Sequence, residues 1–377
     1  MNLRALALAG TAAVIGFIAW SGPFPTLALV VLMPALWAAA DSRWQAAAVV
    51  AAYQLAATWS LPRGIEGYYG TFLARGVVLW IAAALLVTGV WTAVWSQKRG
   101  KLRLLGIIGA LFLTAFPPIG VVGWASPLTA AGVLFPGYRW AGLLGTLVVI
   151  AALALCQWGR LVCGTATVVL WAVVMRGPAP TLEGWEGIDT FGGKTDESNA
   201  MRKIVELPRL MRFTSARVAV YPETVAGLWM PGEEEWWARE RGGGQRTALI
   251  GAEVLEPDGK YANAVIEVSQ TGSRVVYRQR MPVPLTMWRP WAGDGAHAYW
   301  FQNPVAAAAG KRAAVLICYE QTIVWPVLCS MAGRPDVVIA CSNDWWCCNS
   351  EIPTIQRNSV TSWCRLFNVP LVMAVNR

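Results

Sequence analysis

A cysteine and a glutamate at the ends of two apolar runs are the residues of this chain best suited to covalent chemistry. Cys318 closes the apolar run 313–317, and Glu223 follows the mostly apolar segment 216–221 after one proline. A thiol that attacks a carbonyl carbon needs a base to accept its proton and hydrogen-bond donors to stabilise the oxyanion. The two residue types therefore predict acyl or amide chemistry through a cysteine thioester.

Each residue also has an ordinary structural interpretation. A cysteine that ends an apolar strand is more often a packing residue than a nucleophile. Glu223 has the alternative of a surface corner, although a buried carboxylate at that place must be hydrogen-bonded, paired or catalytic. His297 is the only histidine of the chain. The sequence therefore argues against zinc sites with several imidazole ligands and against triads with a histidine base. The sequence therefore predicts a carboxylate or amine base, no metal and no other cofactor.

The chain divides into an apolar, basic half and a second half of mixed charge. Its mean hydropathy of +0.44 and its 14% of charged residues make it too apolar for one soluble body. Residues 1–176 hold eleven Lys and Arg against two acidic residues, a net charge of +9, whereas residues 177–377 hold twenty of each sign. A nucleic-acid-binding domain would gather basic residues on a soluble face. We therefore expect no nucleic-acid binding, and loops that obey the positive-inside rule.

Residues 1–176 are predicted to form a membrane domain of about seven transmembrane helices, because their apolar runs approach the length that crosses a bilayer. The seven candidate spans are Arg4–Trp20, Phe24–Ala40, Trp44–Trp59, Phe72–Trp95, Leu104–Trp124, Ala141–Cys156 and Leu161–Met175. With the N-terminus inside, the inner loops carry seven Lys and Arg and the outer loops four, which favours this orientation. The first run has the alternative of a cleaved signal peptide. In both cases residues 177–377 lie outside the cytoplasm.

Residues 177–377 alternate predicted strands with predicted helices. The strands are expected at Ala216–Tyr221, Thr247–Leu255, Ala262–Ser269, Ser273–Tyr277, Ala313–Cys318, Asp336–Cys341 and Pro370–Val375. A helix is expected at Thr354–Phe367, between the last two strands. Strands and helices mixed in this way indicate an α/β layered domain.

The order of these features resembles the nitrilase, or carbon–nitrogen hydrolase, superfamily. The matching residues are Tyr221-Pro222-Glu223, Ile317-Cys318-Tyr319-Glu320, Asn343-Asp344-Trp345, Gln356-Arg357 and Asn376. That superfamily has a Glu-Lys-Cys triad on an αββα fold. Its membrane branch, the apolipoprotein N-acyltransferases, shares the layout of an apolar block followed by an external catalytic domain. Within that branch the resemblance is greatest to conjugal transfer proteins of plasmids.

The resemblance implies a mechanism and a location. Glu223 would remove the thiol proton, Cys318 would form the thioester, and an amine or water would release the acyl group. Glu320, beside the nucleophile, either positions the incoming group or is a structural carboxylate. A membrane lipid is the implied acyl donor, and the identity of the amine acceptor is open. The implied location is the inner membrane of a bacterium, with the catalytic domain in the periplasm.

The chain departs from the acyltransferase pattern in two respects. Gln279 stands where the family has its lysine, and Met287 stands where the family has a second glutamate. A neutral amide brings no positive charge, and the loss of one oxyanion donor costs roughly 10²–10³ in rate. Strand alternation points Arg278 and Arg280 away from the face of Gln279. The chain also stops at Arg377, where the resemblance leads us to expect further strands and a closing membrane span.

These departures leave two hypotheses. The first is a membrane-bound enzyme that transfers acyl groups to an amine, or an amidase-like enzyme, with Cys318 as its nucleophile. The second is a catalytically impaired nitrilase-like scaffold of a conjugation or envelope complex. Gln279 and Met287 favour the scaffold. The enzyme is favoured by Glu223, Cys318, Glu320 and the intact Asn343-Asp344-Trp345 motif.

Overall fold

Helices dominate the first half of the chain, and strands dominate the second. The computed structural model describes residues 3–70, 73–155, 158–175, 177–194, 205–240, 246–302, 304–347 and 349–377. The chain forms two units. The first comprises Met1–Ala179, Thr322–Trp325 and Asn349–Asn368, and the second comprises Pro180–Gln321, Pro326–Cys348 and Val369–Arg377. The boundary predicted between the domains 1–176 and 177–377 stays a prediction.

The described residues form α-helices in both units, and short turns connect most of those in the first. They are α1 (Leu3–Ser21), α2 (Leu32–Ala38), α3 (Arg43–Ala57), α4 (Leu61–Tyr69), α5 (Leu73–Ala93), α6 (Lys101–Ala115), α7 (Ala131–Leu134), α8 (Arg139–Leu155), α9 (Trp158–Val174), α10 (Glu233–Glu240), α11 (Val324–Ala332) and α12 (Ile352–Phe367). Helices α1 to α9 and α12 belong to the first unit, and α10 belongs to the second.

Two helices of the described part are long and apolar enough to cross a membrane. They are α1 and residues 74–93 of α5, and the bent pair Pro127–Leu134 and Arg139–Leu155, with an angle of 118°, is a third candidate if it forms one broken span. Leu6 and Phe17 on α1, and Val78 and Leu85 on α5, are exposed. Apolar faces of this kind are suited to contact with lipid. Membrane association is therefore supported, whereas the count of seven spans stays a prediction.

The segment expected as a second span, Phe24–Ala40, is not one continuous helix. It divides into a 3-10 helix, Phe24–Val31, and the short helix α2. Pro25 and Pro34 lack the backbone N–H that a continuous helix would use at those positions. Every side chain of α2 is buried, so this helix contributes to the interior of the first unit.

Helix α12 packs against the apolar helices of the first unit. Ser362 Oγ donates a hydrogen bond to the backbone oxygen of Thr129, and the ring of Phe367 meets Trp140 edge-on at 5.0 Å. A Cβ atom on Gly132 would collide with the backbone oxygen of Ser362, so this close approach requires a glycine. The predicted helix Thr354–Phe367 is confirmed and begins two residues earlier, at Ile352.

The second unit contains two sheets. The first has the order β1-β2-β3-β4-β5 and consists of Trp185–Gly187, Val218–Val220, Thr247–Leu255, Tyr261–Ser269 and Gly272–Arg278. The second has the order β6-β7-β8-β9 and consists of Ala306–Ala308, Lys311–Ile317, Val337–Asn343 and Leu371–Asn376. Strands β1 to β3 are parallel, as are β7 to β9, whereas β4, β5 and β6 pair in antiparallel fashion.

The two sheets pack face to face. Val220 and Val265 from the first sheet share a buried cluster with Val315 and Ile339 from the second. All seven residues of β8 are buried, as expected for a parallel strand that is covered on both faces. Trp237 of α10 packs on the opposite face of the first sheet. The predicted α/β layered domain is therefore confirmed in this unit.

Candidate active site

Cys318 lies at a sharp turn directly after β7. It is the first residue of a 3-10 helix, Cys318–Gln321, and its φ is 48°. This left-handed conformation costs a residue with a Cβ atom roughly 1–2 kcal/mol, and such strain is concentrated at functional sites. The side chain is 4% exposed. Burial, followed by the charge of Glu223, raises the pKa of the Cys318 thiol, so the resting group is a thiol rather than a thiolate.

Glu223 lies beyond the carboxyl end of β2 and hydrogen-bonds the thiol of Cys318. Its Oε1 accepts a hydrogen bond from Asn263 Nδ2 at 2.6 Å, and its Oε2 accepts one from the backbone N–H of Asn343 at 3.0 Å. Burial raises the pKa of Glu223 to about 8, although these hydrogen bonds act in the opposite direction. A general base works best when its pKa is near the working pH. The structure therefore brings the two residues singled out by sequence into direct contact.

A close approach of β3 holds Glu223 in this position. A Cβ atom on Gly251 would lie 2.6 Å from Glu223 Cα, and still closer to the backbone oxygen of Pro222. On the other side, Asn343 Nδ2 donates to Thr224 Oγ1 at 2.8 Å. The loop that carries Glu223 is thus held between a glycine in one sheet and an asparagine in the other.

Gln279, at the family lysine position, is fully buried and hydrogen-bonded at both ends of its amide. Its Nε2 donates to the backbone oxygen of Ile317 at 2.9 Å, and its Oε1 accepts from Asn263 Nδ2 at 3.0 Å. The Ile317 carbonyl belongs to the residue that precedes Cys318. Gln279 therefore connects the strand end that carries Cys318 with the strand that carries Asn263, through neutral hydrogen bonds.

The neighbouring arginines make their contacts elsewhere. Arg278 Nε donates to Glu256 at 2.8 Å, and Arg280 Nε donates to the hydroxyl of Tyr277 at 2.9 Å. The strand ends at Arg278, so strand alternation does not extend to Arg280, which is buried against Tyr277. Met287 is half-buried in the following loop, where its backbone N–H donates to the backbone oxygen of Val283 at 3.0 Å.

Asn263 contacts both Glu223 and Gln279, although the sequence analysis did not select it as a candidate residue. One nitrogen, Nδ2, donates both to Glu223 and to Gln279. Its backbone oxygen accepts the N–H of Gln279 at 2.7 Å. The available signal was an amide within the apolar strand Tyr261–Ser269, because a buried polar side chain needs partners.

Glu320 is fully buried and hydrogen-bonded to two segments of the second unit. Its carboxylate accepts hydrogen bonds at 2.8 Å from the Tyr277 hydroxyl and from the backbone N–H groups of Arg280 and Ile317. The Arg280 guanidinium lies 3.9 Å away. Burial raises the pKa of Glu320, and the charge of Arg280 opposes this effect. Of the two roles considered, these contacts favour the structural one: Glu320 fixes the end of β7 to the segment that follows Gln279.

Two asparagines tie the ends of β8 and β9 together. Asn376 Nδ2 donates to Asn343 Oδ1 at 2.8 Å, and Asn376 Oδ1 accepts from Thr190 Oγ1 at 2.8 Å. This arrangement orients the backbone N–H of Asn343 toward Glu223. Within the described residues, no group of three or more His, Cys, Asp or Glu side chains could hold a metal ion.

Comparison with known proteins identifies the family. Residues 108–365 match the family described as Carbon-nitrogen hydrolase. The chain belongs to the carbon-nitrogen hydrolase family. This confirms the resemblance inferred from the motifs at Glu223, Cys318 and Asn343, and with it a nitrilase-like fold for the C-terminal region.

Two relatives of this carbon-nitrogen hydrolase are similar over nearly their whole length. The "Conjugal transfer protein TraB" of Agrobacterium fabrum (strain C58) is 37% identical over 382 residues, which cover 96% of this chain and 90% of that protein. The "Probable conjugal transfer protein TraB" of Sinorhizobium fredii is 37% identical over 372 residues, which cover 96% of each chain. Among solved structures, an amidase from Nesterenkonia sp. aligns with a TM-score of 0.31 and 13% identity, over 43% of this chain and 67% of that one.

Proposed function

We propose that this carbon-nitrogen hydrolase is a membrane-bound acyltransferase that works through a thioester on Cys318. The observation that carries the proposal is the hydrogen bond between the Cys318 thiol and the Glu223 carboxyl group at a strained strand end. A buried acid with a pKa of about 8 can exist as a carboxylate at neutral to mildly basic pH. It is then placed to accept the thiol proton as the sulfur attacks a carbonyl carbon.

The reaction proceeds in two halves. In the first, the sulfur bonds to the acyl carbon, Glu223 takes the thiol proton, and the leaving group departs with that proton. Gln279 uses one N–H for the Ile317 carbonyl, and its second N–H is available to the oxyanion. In the second half, an amine displaces the sulfur and the thiol is restored. Met287 contributes no charge to either half.

A membrane lipid is the proposed acyl donor. The exposed apolar faces of α1 and α5 support attachment to a bilayer, where lipid acyl groups are concentrated. The excess of Lys and Arg in the predicted inner loops supports a periplasmic catalytic domain in the inner membrane of a bacterium. The TraB relatives support a role in plasmid conjugal transfer.

The test is to incubate membranes that contain the protein with phospholipid labelled in its acyl chains. We expect a label on the parent protein that neutral hydroxylamine removes, because hydroxylamine cleaves thioesters. The Cys318→Ala variant carries no label, and Cys329→Ala, which removes a half-buried cysteine of the same unit, keeps it. Equal labelling of the parent and Cys318→Ala would refute the proposal.

A scaffold without turnover is the second candidate function. Its support is the neutral Gln279 amide at the lysine position and the 4% exposure of Cys318. A scaffold predicts that Cys318→Ala accumulates normally and supports conjugal transfer at the parental frequency. Loss of transfer by a variant that accumulates normally would exclude it.

A further inference from the structure

Glu253, Asn263 and Gln279 lie side by side across neighbouring strands, and we call these three residues the row. The register of β3 and β4 pairs Glu253 directly with Asn263, and the N–H of Gln279 continues the row on the other side of Asn263. Residues that are directly opposite in an antiparallel pair share a face, with Cβ atoms about 4.5–5.5 Å apart. Because the side chain of Asn263 reaches Glu223, Glu253 lies on the face of the sheet that carries the candidate active site.

Two hydrogen-bond acceptors of this row, Asn263 Oδ1 and the Glu253 carboxylate, receive no hydrogen bond from a described residue. Asn263 Oδ1 is buried and has no hydrogen-bond partner among the described residues. Its orientation is set by Nδ2, which already serves Glu223 and Gln279. The half-buried Glu253 carboxylate likewise has no hydrogen bond or ion pair with a described residue. A buried acceptor without a donor costs about 1–3 kcal/mol, so the pair is suited to a ligand that supplies several N–H donors.

Glu253 is half-buried, whereas Asn263 and Gln279 are fully buried. Leu228 pairs with Glu253 on the other side of β3 and is 43% exposed. A molecule that reaches this part of the sheet from solvent therefore contacts Glu253 before the fully buried Asn263.

We propose that Glu253 and the free oxygen of Asn263 bind the ammonium group of the amine that accepts the acyl chain. This inference rests on the acyl transfer proposed above and names the acceptor as a primary amine that arrives protonated. A carboxylate and an amide oxygen are the partners expected for an ammonium group, which has three N–H donors and no acceptor.

The ammonium group of a primary amine carries three protons. The ammonium gives one proton to Glu253, because an amine attacks only as the free base. The nitrogen then bonds to the thioester carbon, its second proton passes through Glu223 to the departing sulfur, and its third stays on the amide nitrogen. Burial raises the pKa of Glu253, which makes this carboxylate a better proton acceptor. Glu253 then releases its proton to water.

The experiment uses the full-length protein in membranes and compares two nucleophiles that discharge the acyl-enzyme. Glycinamide is largely protonated at pH 7, as α-amino groups are, whereas hydroxylamine is uncharged. For Glu253→Gln we expect the glycinamide concentration at half-maximal rate to rise about tenfold, which corresponds to about 1.4 kcal/mol. Labelling of Cys318 and discharge by hydroxylamine stay within twofold of the parent. The control Glu235→Gln removes an exposed carboxylate of α10 and leaves all three quantities unchanged.

Each other outcome has a distinct meaning. If Glu253→Gln slows discharge by both nucleophiles equally, Glu253 has a general structural role and the inference is wrong. If it changes neither, the ammonium binds elsewhere and the inference is also wrong. If the parent protein itself acquires no label, the proposed acyl transfer fails, and this is seen before any amine is added.

Discussion

The side-chain nitrogen of Asn263 donates to Glu223 at 2.6 Å and to Gln279 at 3.0 Å. A single amide thus couples the candidate base to the position where the family has a lysine. A change of charge at position 279 acts on Glu223 across one intervening side chain. Substitutions at several positions can therefore be compared by their effect on the protonation state of Glu223.

The rate of Cys318 acylation in the parent protein should rise with pH. Burial raises the pKa of Glu223 to about 8, so the group is mostly a carboxylic acid at pH 6 and mostly a carboxylate at pH 9, and only the carboxylate accepts the thiol proton. We expect a sigmoid increase with a midpoint near pH 8, measured as the initial rate of labelling. In Glu223→Gln the rate falls by roughly 10²–10⁴ and loses this midpoint. A flat profile in the parent would contradict the assignment of Glu223 as the base.

Gln279→Lys should move the midpoint to lower pH. An ammonium group near the carboxylate favours its charged form and lowers the pKa of Glu223. The labelling rate at pH 7 is then higher than in the parent, provided that the variant accumulates. Gln279→Met, which has similar length and no charge, serves as the matched control and leaves the midpoint near the parental value. An unchanged midpoint in Gln279→Lys would show that position 279 does not communicate with Glu223.

Gly251→Ala should displace Glu223 and reduce acylation. The added methyl group meets the backbone of Pro222 and Glu223, so the loop must shift. A misplacement of about 1 Å can cost about 10²-fold in rate, and overpacking costs about 1–3 kcal/mol of stability. The control is Gly293→Ala, because a Cβ atom there meets nothing within 4 Å. Thermal unfolding and the labelling rate measure the two effects, and parental values of both in Gly251→Ala would refute the close approach.

Glu320→Gln should affect stability more than proton transfer. Removal of the charge leaves the buried Arg280 guanidinium without its ionic partner, and breaking a buried ion pair by removing one member costs roughly 3–5 kcal/mol. We expect a large fall in the melting temperature of the purified protein, while the midpoint of the pH profile stays near 8. The exposed Glu235→Gln is again the control. A shifted pH midpoint with unchanged stability would instead assign Glu320 to the reaction.

The predicted strands of the second unit agree with the structure because their apolar runs are long enough to be recognised. Strands β3, β4 and β8 are confirmed within two residues of their predicted ends. The strands β1 and β6 have three residues each; β1 contains Glu186 and a glycine, and β6 consists of alanines, whose strand propensity is low. They exist because neighbouring strands supply hydrogen-bond partners, which composition cannot indicate.

The site was predictable to a lesser degree than the fold. Glu223 and Cys318 could be selected as candidates because each follows a predicted strand and matches a family motif. Asn263 and Glu253 lie opposite each other because of the register of β3 and β4. Sequence spacing does not determine that register, so their proximity could not be predicted. The hydrogen bonds to the Glu320 carboxylate likewise come from Tyr277 and Arg280, which lie some forty residues earlier in the chain.

Mass spectrometry can locate an acyl group on Cys318 directly. The full-length protein is incubated with phosphatidylethanolamine vesicles at pH 8, quenched in acid and digested. We predict the mass of one fatty acyl group on the peptide that contains Cys318, and its absence from Cys318→Ala and from Glu223→Gln. An unmodified Cys318 peptide in the parent, or the same adduct in Cys318→Ala, would contradict the claim that this thiol and this carboxylate form an acyl-transfer site.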